Sequence, residues 1–369
     1  MITAAIICEY NPFHMGHKHH IAETRRITGA ECVVAIMSGS FVQRGEPAIA
    51  DIETRAKWAI AGGADLVIEL PYAYACSGAE IFAQGGCQIA TMLGVDYLSF
   101  GAEDPDVSNL RKLAEFLLKE PLEYVSILKG ELDKGSSFAK ARQRAVTSVL
   151  GEEIANLLEN PNNILGIEYI KALLKLEVQG NKVPEPVAIK RIGAPHGSSL
   201  DKDYSATAAR LAMTGDEKEV DGIDAFSVSI ISAIRRMSPQ EIALYGDMEQ
   251  GLENRIKAVG EKKIKLSDLV LEVSNKRITE ARVRRILCNI LTGETREMRQ
   301  LAIDKGPYLR AVDMNPNGRR FLREYKGETP VFTRVKDVDK FCYKNGNPNF
   351  TIEKKAQEQY ALARMTKIT

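Results

Sequence analysis

"TAAIICEYNPFHMGHKHHIAETRRIT", residues 3–28, decides how the chain is read. Thr3 to Cys8 is a short apolar run without polar alternation, which suits a strand buried on both faces of a parallel sheet. From about His17 to Thr28 the periodicity is helical. Strand, turn and helix in that order make one β-α unit. The turn and the head of the helix hold four of the chain's five histidines, at 14, 17, 19 and 20.

The unit recurs. "CVVAIM" (32–37) precedes the turn-rich loop "SGSFVQRGEPA" (38–48) and the helical "DIETRAKWAIAGG". "ADLVIEL" (64–70) precedes the helical "SGAEIFAQGGCQIATMLG" (77–94), and "VDYLSFG" (95–101) closes the series. Four such units predict an α/β, Rossmann-like domain with a doubly wound parallel sheet, whose ligands lie beyond the carboxyl ends of the strands. That rule sets the histidine cluster, "SGSFVQRG", "ELPYAYA" and "FGAEDP" around one crevice. Beyond Asp106 the pattern turns helical, with a short strand at "PVAIKRIG" (186–193). From about Ser227 helical signals dominate, so a boundary is expected between Gly215 and Gly222. Residues 1–215 then form the α/β domain and 216–369 a mainly α-helical one.

A chain of 369 residues suits two such domains, and 44% hydrophobic with 27% charged residues is ordinary for a globular protein. No apolar run approaches the ~20 residues a membrane span needs. "MITAAIICEY" lacks the basic flank of a signal peptide, so a cytoplasmic protein without membrane partners is expected. Six scattered cysteines with no CxxC pair read as buried, reduced thiols. The net charge of +1 conceals an asymmetry: Glu261 to Thr369 holds 24 Lys and Arg against 14 Asp and Glu. The first 260 residues are correspondingly acidic. A basic C-terminal third suits a polyanionic partner, and a solvated helical surface is the plain alternative.

"HMGH" at the head of a helix after a parallel strand has specific chemistry. A helix N-terminus offers backbone N–H groups and partial positive charge, which suit phosphate. Gly16 permits close approach of a base or phosphate, His14 and His17 share one face of the first turn, and Lys18 adds a point charge. HxxH also chelates metals, with His19 and His20 as possible additions. A closed zinc site needs four ligands, however, and the only cysteine nearby is Cys8 of the strand, so no protein-held metal is expected.

His14-Met15-Gly16-His17 resembles the HIGH signature of a nucleotidyltransferase superfamily. Together with "EYNPFHMGH", "SGSFVQRGEPA", "GADLVIELP", "FGAED" and "PNNILGIEYIKAL", it is similar to the tRNA(Met) cytidine acetate ligase family. The resemblance is detailed over residues 1 to about 215. It departs at Ile52, where the family tends to carry lysine, so no role of that lysine transfers. The resemblance implies an ATP-binding catalytic domain followed by a basic tRNA-binding domain. It implies a two-step reaction: ATP and acetate give acetyl-adenylate and pyrophosphate, and the acetyl group passes to the wobble cytidine of elongator tRNA-Met. Mg²⁺ would accompany the phosphates. No enzyme thioester is needed, so the cysteines stay structural.

The residues the resemblance marks are His14 and His17 as catalytic groups and an ATP site drawn from Ile7, Cys8, Glu9, Tyr10, Asn11, Pro12, Phe13, Met15, Gly16, Lys18, His19 and His20. Gly101, Asn162 and Arg191 join it, and "YSATAAR" resembles the superfamily's second signature, with Ser205, Thr207 and Arg210 near the β- and γ-phosphates. Each also has a plain reading: Gly101 as a turn, Asn162 as a helix cap, Arg191 as a surface charge. Gln43 and Arg44 are expected to close over acetate or pyrophosphate as a lid, since their loop has glycine near both ends. Glu9 reads as a ribose or structural contact.

In the basic third, "SNKRITEARVRRILCNILTG" interleaves Lys276, Arg277, Arg282, Arg284 and Arg285 with apolar residues at helical spacing, a candidate phosphate track for tRNA. "NPNGRRFLREYKG" adds Arg319, Arg320 and Arg323. Two rival functions stay in view. One is a small-molecule adenylyltransferase, against which the long basic second half counts. The other is a noncatalytic RNA-binding protein holding ATP as a structural ligand.

Overall fold

The structure is a computed structural model that describes residues 1–191 and 222–365. β1 (Thr3–Cys8), α1 (Met15–Thr28), β2 (Cys32–Ser38), a small hairpin of β3 (Phe41–Val42) and β4 (Glu46–Pro47), α2 (Ile52–Ala61) and β5 (Leu66–Leu70) come first. α3 (Tyr72–Ala75), α4 (Ala79–Leu93) and β6 (Tyr97–Ala102) complete the expected alternation. Helices α5 (Val107–Lys119), α6 (Leu122–Asp133), α7 (Phe138–Leu150), α8 (Glu152–Asn156) and α9 (Pro161–Val178) then lead to β7 (Glu185–Lys190).

Seven strands form one sheet in the order β7-β6-β1-β2-β5-β8-β9, where β8 is Leu309–Met314 and β9 is Val331–Phe332. β1 runs parallel to β2, from Thr3↔Cys32 to Cys8↔Met37, and parallel to β6. The chain steps from β1 outward through β2 to β5, then returns to the far side of β1 for β6 and β7. The order therefore reverses between β1 and β6, which is where doubly wound sheets open a ligand crevice.

Side chains of β1 and β2 alternate between two cores. Ala4, Ile6, Cys8, Val33, Ala35 and Met37 pack with α1 and α2. Ala5, Ile7, Val34 and Ile36 pack with α4 and α9 on the other face. Burial on both sides explains why these strands read as continuous apolar runs. Gly166 lets α9 lie close on β6, since a Cβ there would stand 2.6 Å from the Phe100 ring.

The second half is mainly helical, as expected, but it also supplies β8 and β9, two strands the sequence reading did not place. β8 pairs antiparallel with β5 and carries Arg310 and Asp313, so its apolar run is broken. The arginine is accommodated because Arg310 Nη1 donates to Glu69 of β5 at 2.7 Å. The halves also share a core: Phe41, Tyr72, Ala73 and Cys76 pack with Ile230, Leu269, Ile286 and Ile352. Of the expected boundary, Gly215 lies outside the described residues and Gly222 opens the second described segment. Among the described residues no helix is long and apolar enough to cross a membrane. All six cysteines are free and buried.

Candidate active site at the carboxyl ends of β1 and β6

The loop leaving β1 turns sharply. Tyr10 takes φ of 44°, the left-handed region that costs a non-glycine residue about 1–2 kcal/mol. The Asn11–Pro12 peptide is cis. Tyr10 is buried, its ring centroid 4.7 Å from His17 and 4.9 Å from Phe13. Asn11 Oδ1 accepts from the Ile49 N–H at 2.7 Å and so ties this loop to the approach to α2.

His14 is the N-cap of α1, and the two key histidines cap each other. His14 Nδ1 accepts from the Gly16 N–H at 3.1 Å, and His17 Nδ1 accepts from the His14 N–H at 3.3 Å. Their rings stack with centroids 3.6 Å apart. With both Nδ1 lone pairs engaged, the neutral rings carry their protons on Nε2. The sequence reading expects free backbone N–H groups at this helix head. The structure instead commits those of Gly16 and His17 to His14, the latter to its carbonyl at 3.0 Å. Toward a ligand, His17 offers its Nε2–H rather than the backbone N–H groups of Gly16 and His17.

Burial holds His17 well below the usual imidazole range, helped by the nearby His14, His20 and Arg191. Burial likewise lowers His20, to about 4, with Arg191 contributing. Both are therefore neutral at pH 7, and the positive charge in the crevice comes from Arg191. His20 Nε2 is 3.0 Å from Ser99 Oγ, which in turn meets Thr24 Oγ1 at 2.7 Å. This chain of hydroxyls fastens α1 to β6, so His20 acts as a strut between them.

Arg191, just beyond β7, is exposed and folds back over β6. A Cβ on Gly101 would stand 3.3 Å from Arg191 Cγ, so the glycine makes room for this arginine's stem. Arg191 Nη1 donates to Asn162 Oδ1 at 3.1 Å. Asn162 is not the helix cap; Asn160 holds that position before Pro161. Asn162 Nδ2 instead donates to Glu103 Oε1, while Glu103 Oε2 accepts from the Asn163 N–H at 3.1 Å. The expected set of His14, His17, Gly101, Asn162 and Arg191 thus converges at the β1/β6 switch. Glu103, which fixes Asn162, was missed, although "FGAEDP" marked its loop.

The remaining positions divide by role. Ile7 and Cys8 point into the two cores and offer only backbone to the crevice. Met15 and Lys18 are exposed, and Phe13 is half-buried and packs over Gly62. His19 lies one turn from Glu23 along α1 and influences it electrostatically. Ser205, Thr207 and Arg210 lie outside the described residues. Among the described residues no group of three or more His, Cys, Asp or Glu is placed to hold a metal ion.

A second residue the sequence reading missed is Arg55 of α2, which has no exposed surface. Its Nε donates to the Ala50 carbonyl at 3.0 Å, Nη1 to that of Glu9 at 2.6 Å, and Nη2 to that of Ser38 at 2.8 Å and to that of Gly39. One guanidinium therefore holds together the ends of β1 and β2 and the start of α2. Its signal was present in "DIETRAKW": position 55 falls among Ile52, Ala56 and Ala59 on the helix's buried face.

The "SGSFVQRG" loop is not a free lid. The Gln43 N–H donates to Glu9 Oε1 at 2.8 Å, and the Gln43 carbonyl accepts from Arg285 Nη1 at 3.3 Å. Gly45, with φ of 74°, lies so close to the helix Glu280–Thr292 that a Cβ would stand 2.4 Å from the Arg285 nitrogen. The loop is seated against that helix on both flanks.

The five basic residues of the expected phosphate track differ. Arg285 pairs with Asp247 at 2.7 Å and is half-buried. Arg282 pairs with Glu249 at 2.8 Å, and Arg284 with Glu280 at 2.6 Å. Lys276 and Arg277 are exposed. The helix Pro316–Glu324, with Arg319, Arg320 and Arg323, docks at the opposite end of the sheet. There Asn315 Nδ2 donates to Asp65 Oδ1, just before β5, at 2.8 Å. Those three arginines therefore do not border the crevice.

A sequence profile of the HIGH nucleotidyl transferase family matches residues 1–369. A tRNA(Met) cytidine acetate ligase of Acetivibrio thermocellus is 37% identical, over 93% of this chain and 90% of its own length. One of Caldicellulosiruptor saccharolyticus is 38% identical, over 96% and 91%. The apo crystal structure of Thermotoga maritima TmcAL superposes with a TM-score of 0.89 at 29% identity, covering 98% of this chain and 95% of that one. The same protein bound with alpha-thio ATP gives 0.84 at 30% identity, covering 97% and 92%. Matched along nearly its whole length in sequence and in fold, the chain belongs to the tRNA(Met) cytidine acetate ligase family of HIGH nucleotidyl transferases.

Proposed function

We propose that this chain is an ATP-dependent tRNA-modifying ligase that activates acetate as acetyl-adenylate and acetylates the wobble cytidine of elongator tRNA-Met. The observation that carries this reading is the paired cap of His14 and His17, with the neutral His17 ring near the cationic Arg191, at the switch point of the sheet. Acetate oxygen attacks the α-phosphorus and pyrophosphate leaves. Negative charge grows on the phosphoryl oxygens, and hydrogen-bond donors placed beforehand stabilise it without reorganising. Arg191 supplies charge, Asn162 holds its guanidinium, and Glu103 holds Asn162. Ser205, Thr207 and Arg210 are assigned to the β- and γ-phosphates. Mg²⁺ would accompany the triphosphate, whose oxygens are its natural ligands.

Residues 1–215 are the catalytic unit and 216–369 the RNA-facing unit, with Lys276 and Arg277 as its exposed phosphate contacts and Arg282, Arg284 and Arg285 shaping the surface beside them. The product of the first step is a mixed anhydride, reactive enough for a weak aromatic amine to take its acyl group. The reaction partners place the protein in the cytoplasm.

The test is to incubate the purified protein with ATP, labelled acetate and total bacterial tRNA, digest the RNA and look for acetylcytidine. Label is expected in that nucleoside, and His17→Ala is expected to reduce it by about 10²–10³-fold, the usual consequence of deleting one transition-state donor. Pyrophosphate exchange into ATP that ignores acetate, with no acetylcytidine formed, would overturn the reading and favour a small-molecule adenylyltransferase.

A further inference from the structure

The second step needs something the first does not. Acetate is already an anion at neutral pH and needs no base to attack phosphorus. The cytidine amine, by contrast, must lose a proton as it acquires the acetyl group. A carboxylate near the acyl-transfer point would serve the second step, and Glu9, at the carboxyl end of β1, is the candidate.

Glu9 is the first residue beyond β1, five residues before His14, at the carboxyl end of the sheet where the ligand crevice is expected. Its carboxylate is held at one end only: Oε1 accepts from the Gln43 N–H at 2.8 Å, and among the described residues Oε2 makes no hydrogen bond. Its carbonyl is fixed by Arg55 at 2.6 Å. The other carboxylates nearby are committed. Glu103 uses both oxygens on Asn162 and Asn163. Asp51 caps α2 through the Thr54 N–H at 2.7 Å. Glu46 faces Arg284 at 3.6 Å. Gln43, which anchors Glu9, is also bonded to Arg285 of the helix Glu280–Thr292. The carboxylate is therefore two hydrogen bonds from the basic helix.

Resting on the two-step function proposed above, we infer that Glu9 is the general base of acyl transfer, its Oε2 accepting from the exocyclic amine of the cytidine. A carboxylate is the natural acceptor for that N4–H₂ donor. The amine nitrogen forms its bond to the acetyl carbonyl carbon. The bond from that carbon to the AMP oxygen breaks, and its electron pair leaves with AMP. The N4 proton passes to Glu9 Oε2 and then to water. Burial raises the Glu9 carboxyl above the usual range, which makes it a stronger base, while the Gln43 N–H, Arg44 and Arg55 oppose the rise. Glu46 from the hairpin also raises it. Cys8 and Tyr10 flank it on its own segment, and Tyr169 of α9 senses its charge.

The test compares two rates on the full-length protein from pH 5 to 9: acetate-dependent pyrophosphate exchange into ATP, and single-turnover acetyl transfer to tRNA. Glu9→Gln keeps an acceptor for the Gln43 N–H but removes the base. It is expected to slow transfer at least 100-fold more than exchange, in line with the 10²–10⁴ that general bases contribute. The wild-type transfer rate is expected to fall on the acid side, and Glu9→Gln to abolish that limb. Glu9→Asp, which keeps a carboxylate but withdraws it, is expected to transfer slowly with the limb retained. Equal losses in both rates, or a limb unchanged in Glu9→Gln, would overturn the assignment. Failure of the wild-type protein to show acetate-dependent exchange would instead remove the function on which it rests.

Discussion

Arg55→Met separates a buried charge that organises the site from one the fold merely tolerates. The guanidinium serves four carbonyls, those of Glu9, Ser38, Gly39 and Ala50, and has no exposed surface. Methionine fills most of its volume but donates nothing. Each buried acceptor left unpaired costs about 1–3 kcal/mol. Water reaching the half-buried Glu9 end recovers part of this, so a net loss of about 3–5 kcal/mol is expected from the carbonyls left without their donor. At about 2.1 cal/mol/K per residue, a 369-residue chain unfolds with an entropy near 0.8 kcal/mol/K. The loss then lowers Tm by roughly 4–6 °C. Arg55→Lys keeps the charge but offers three donors from a single nitrogen, and should lose about half as much. Scanning calorimetry at neutral pH measures both. A methionine variant within 1 °C of the parent would refute the account, because four buried carbonyls could then dispense with their donor.

Two further outcomes follow from the site and the basic surface. His20 is lowered to about 4 by burial, so between that value and the unfolded-state value near 6.5 the unfolded chain binds the extra proton. Its contribution is fully present above pH 6.5 and is lost as pH falls toward 4, by up to ~3 kcal/mol. Urea unfolding at pH 7, 5.5 and 4.5 should show this slope, and His20→Asn should flatten it; equal slopes would exclude His20 as its source. For the RNA-facing surface, Lys276→Ala with Arg277→Ala should raise KM for tRNA and make the log–log salt dependence of tRNA binding shallower by about 1.4–1.8, two phosphate contacts' worth. An unchanged salt slope would move the phosphate track elsewhere.

Much of the catalytic half was legible because its grammar is local. The continuous apolar run at 3–8 and the segments 32–37, 64–70 and 95–101 coincide with β1, β2, β5 and β6 to within two residues at either end. Burial on both faces leaves no polar alternation to confuse the reading. β8 escaped because its sequence requirement is set by a partner elsewhere in the chain. Arg310 in an apolar strand makes sense only with Glu69 at 2.7 Å and Tyr308, which donates to the same carboxylate at 2.7 Å. No window around residue 310 contains that information.

The same distinction divides the site. Two imidazoles three residues apart at a helix start form their reciprocal cap from neighbours alone, so the sequence could nominate them. What they become was not local: His17 is depressed first by burial and then by neighbours that include a charge from residue 191. The loop at Gln43 shows the consequence most clearly. Its glycines suggested a lid, yet Gly45 is glycine because the backbone of the helix Glu280–Thr292 leaves no room for a Cβ. A contact between residues about 240 positions apart converts an apparent hinge into a fixed brace, with Cys288 Sγ donating to the Gly45 carbonyl at 3.3 Å. The brace joins Glu9 at the end of β1 to the helix Glu280–Thr292, so the loop between them is held from both sides. In the proposed reaction acetyl-adenylate hydrolyses readily, and a loop already held in place would spare that intermediate the delay of a closing lid.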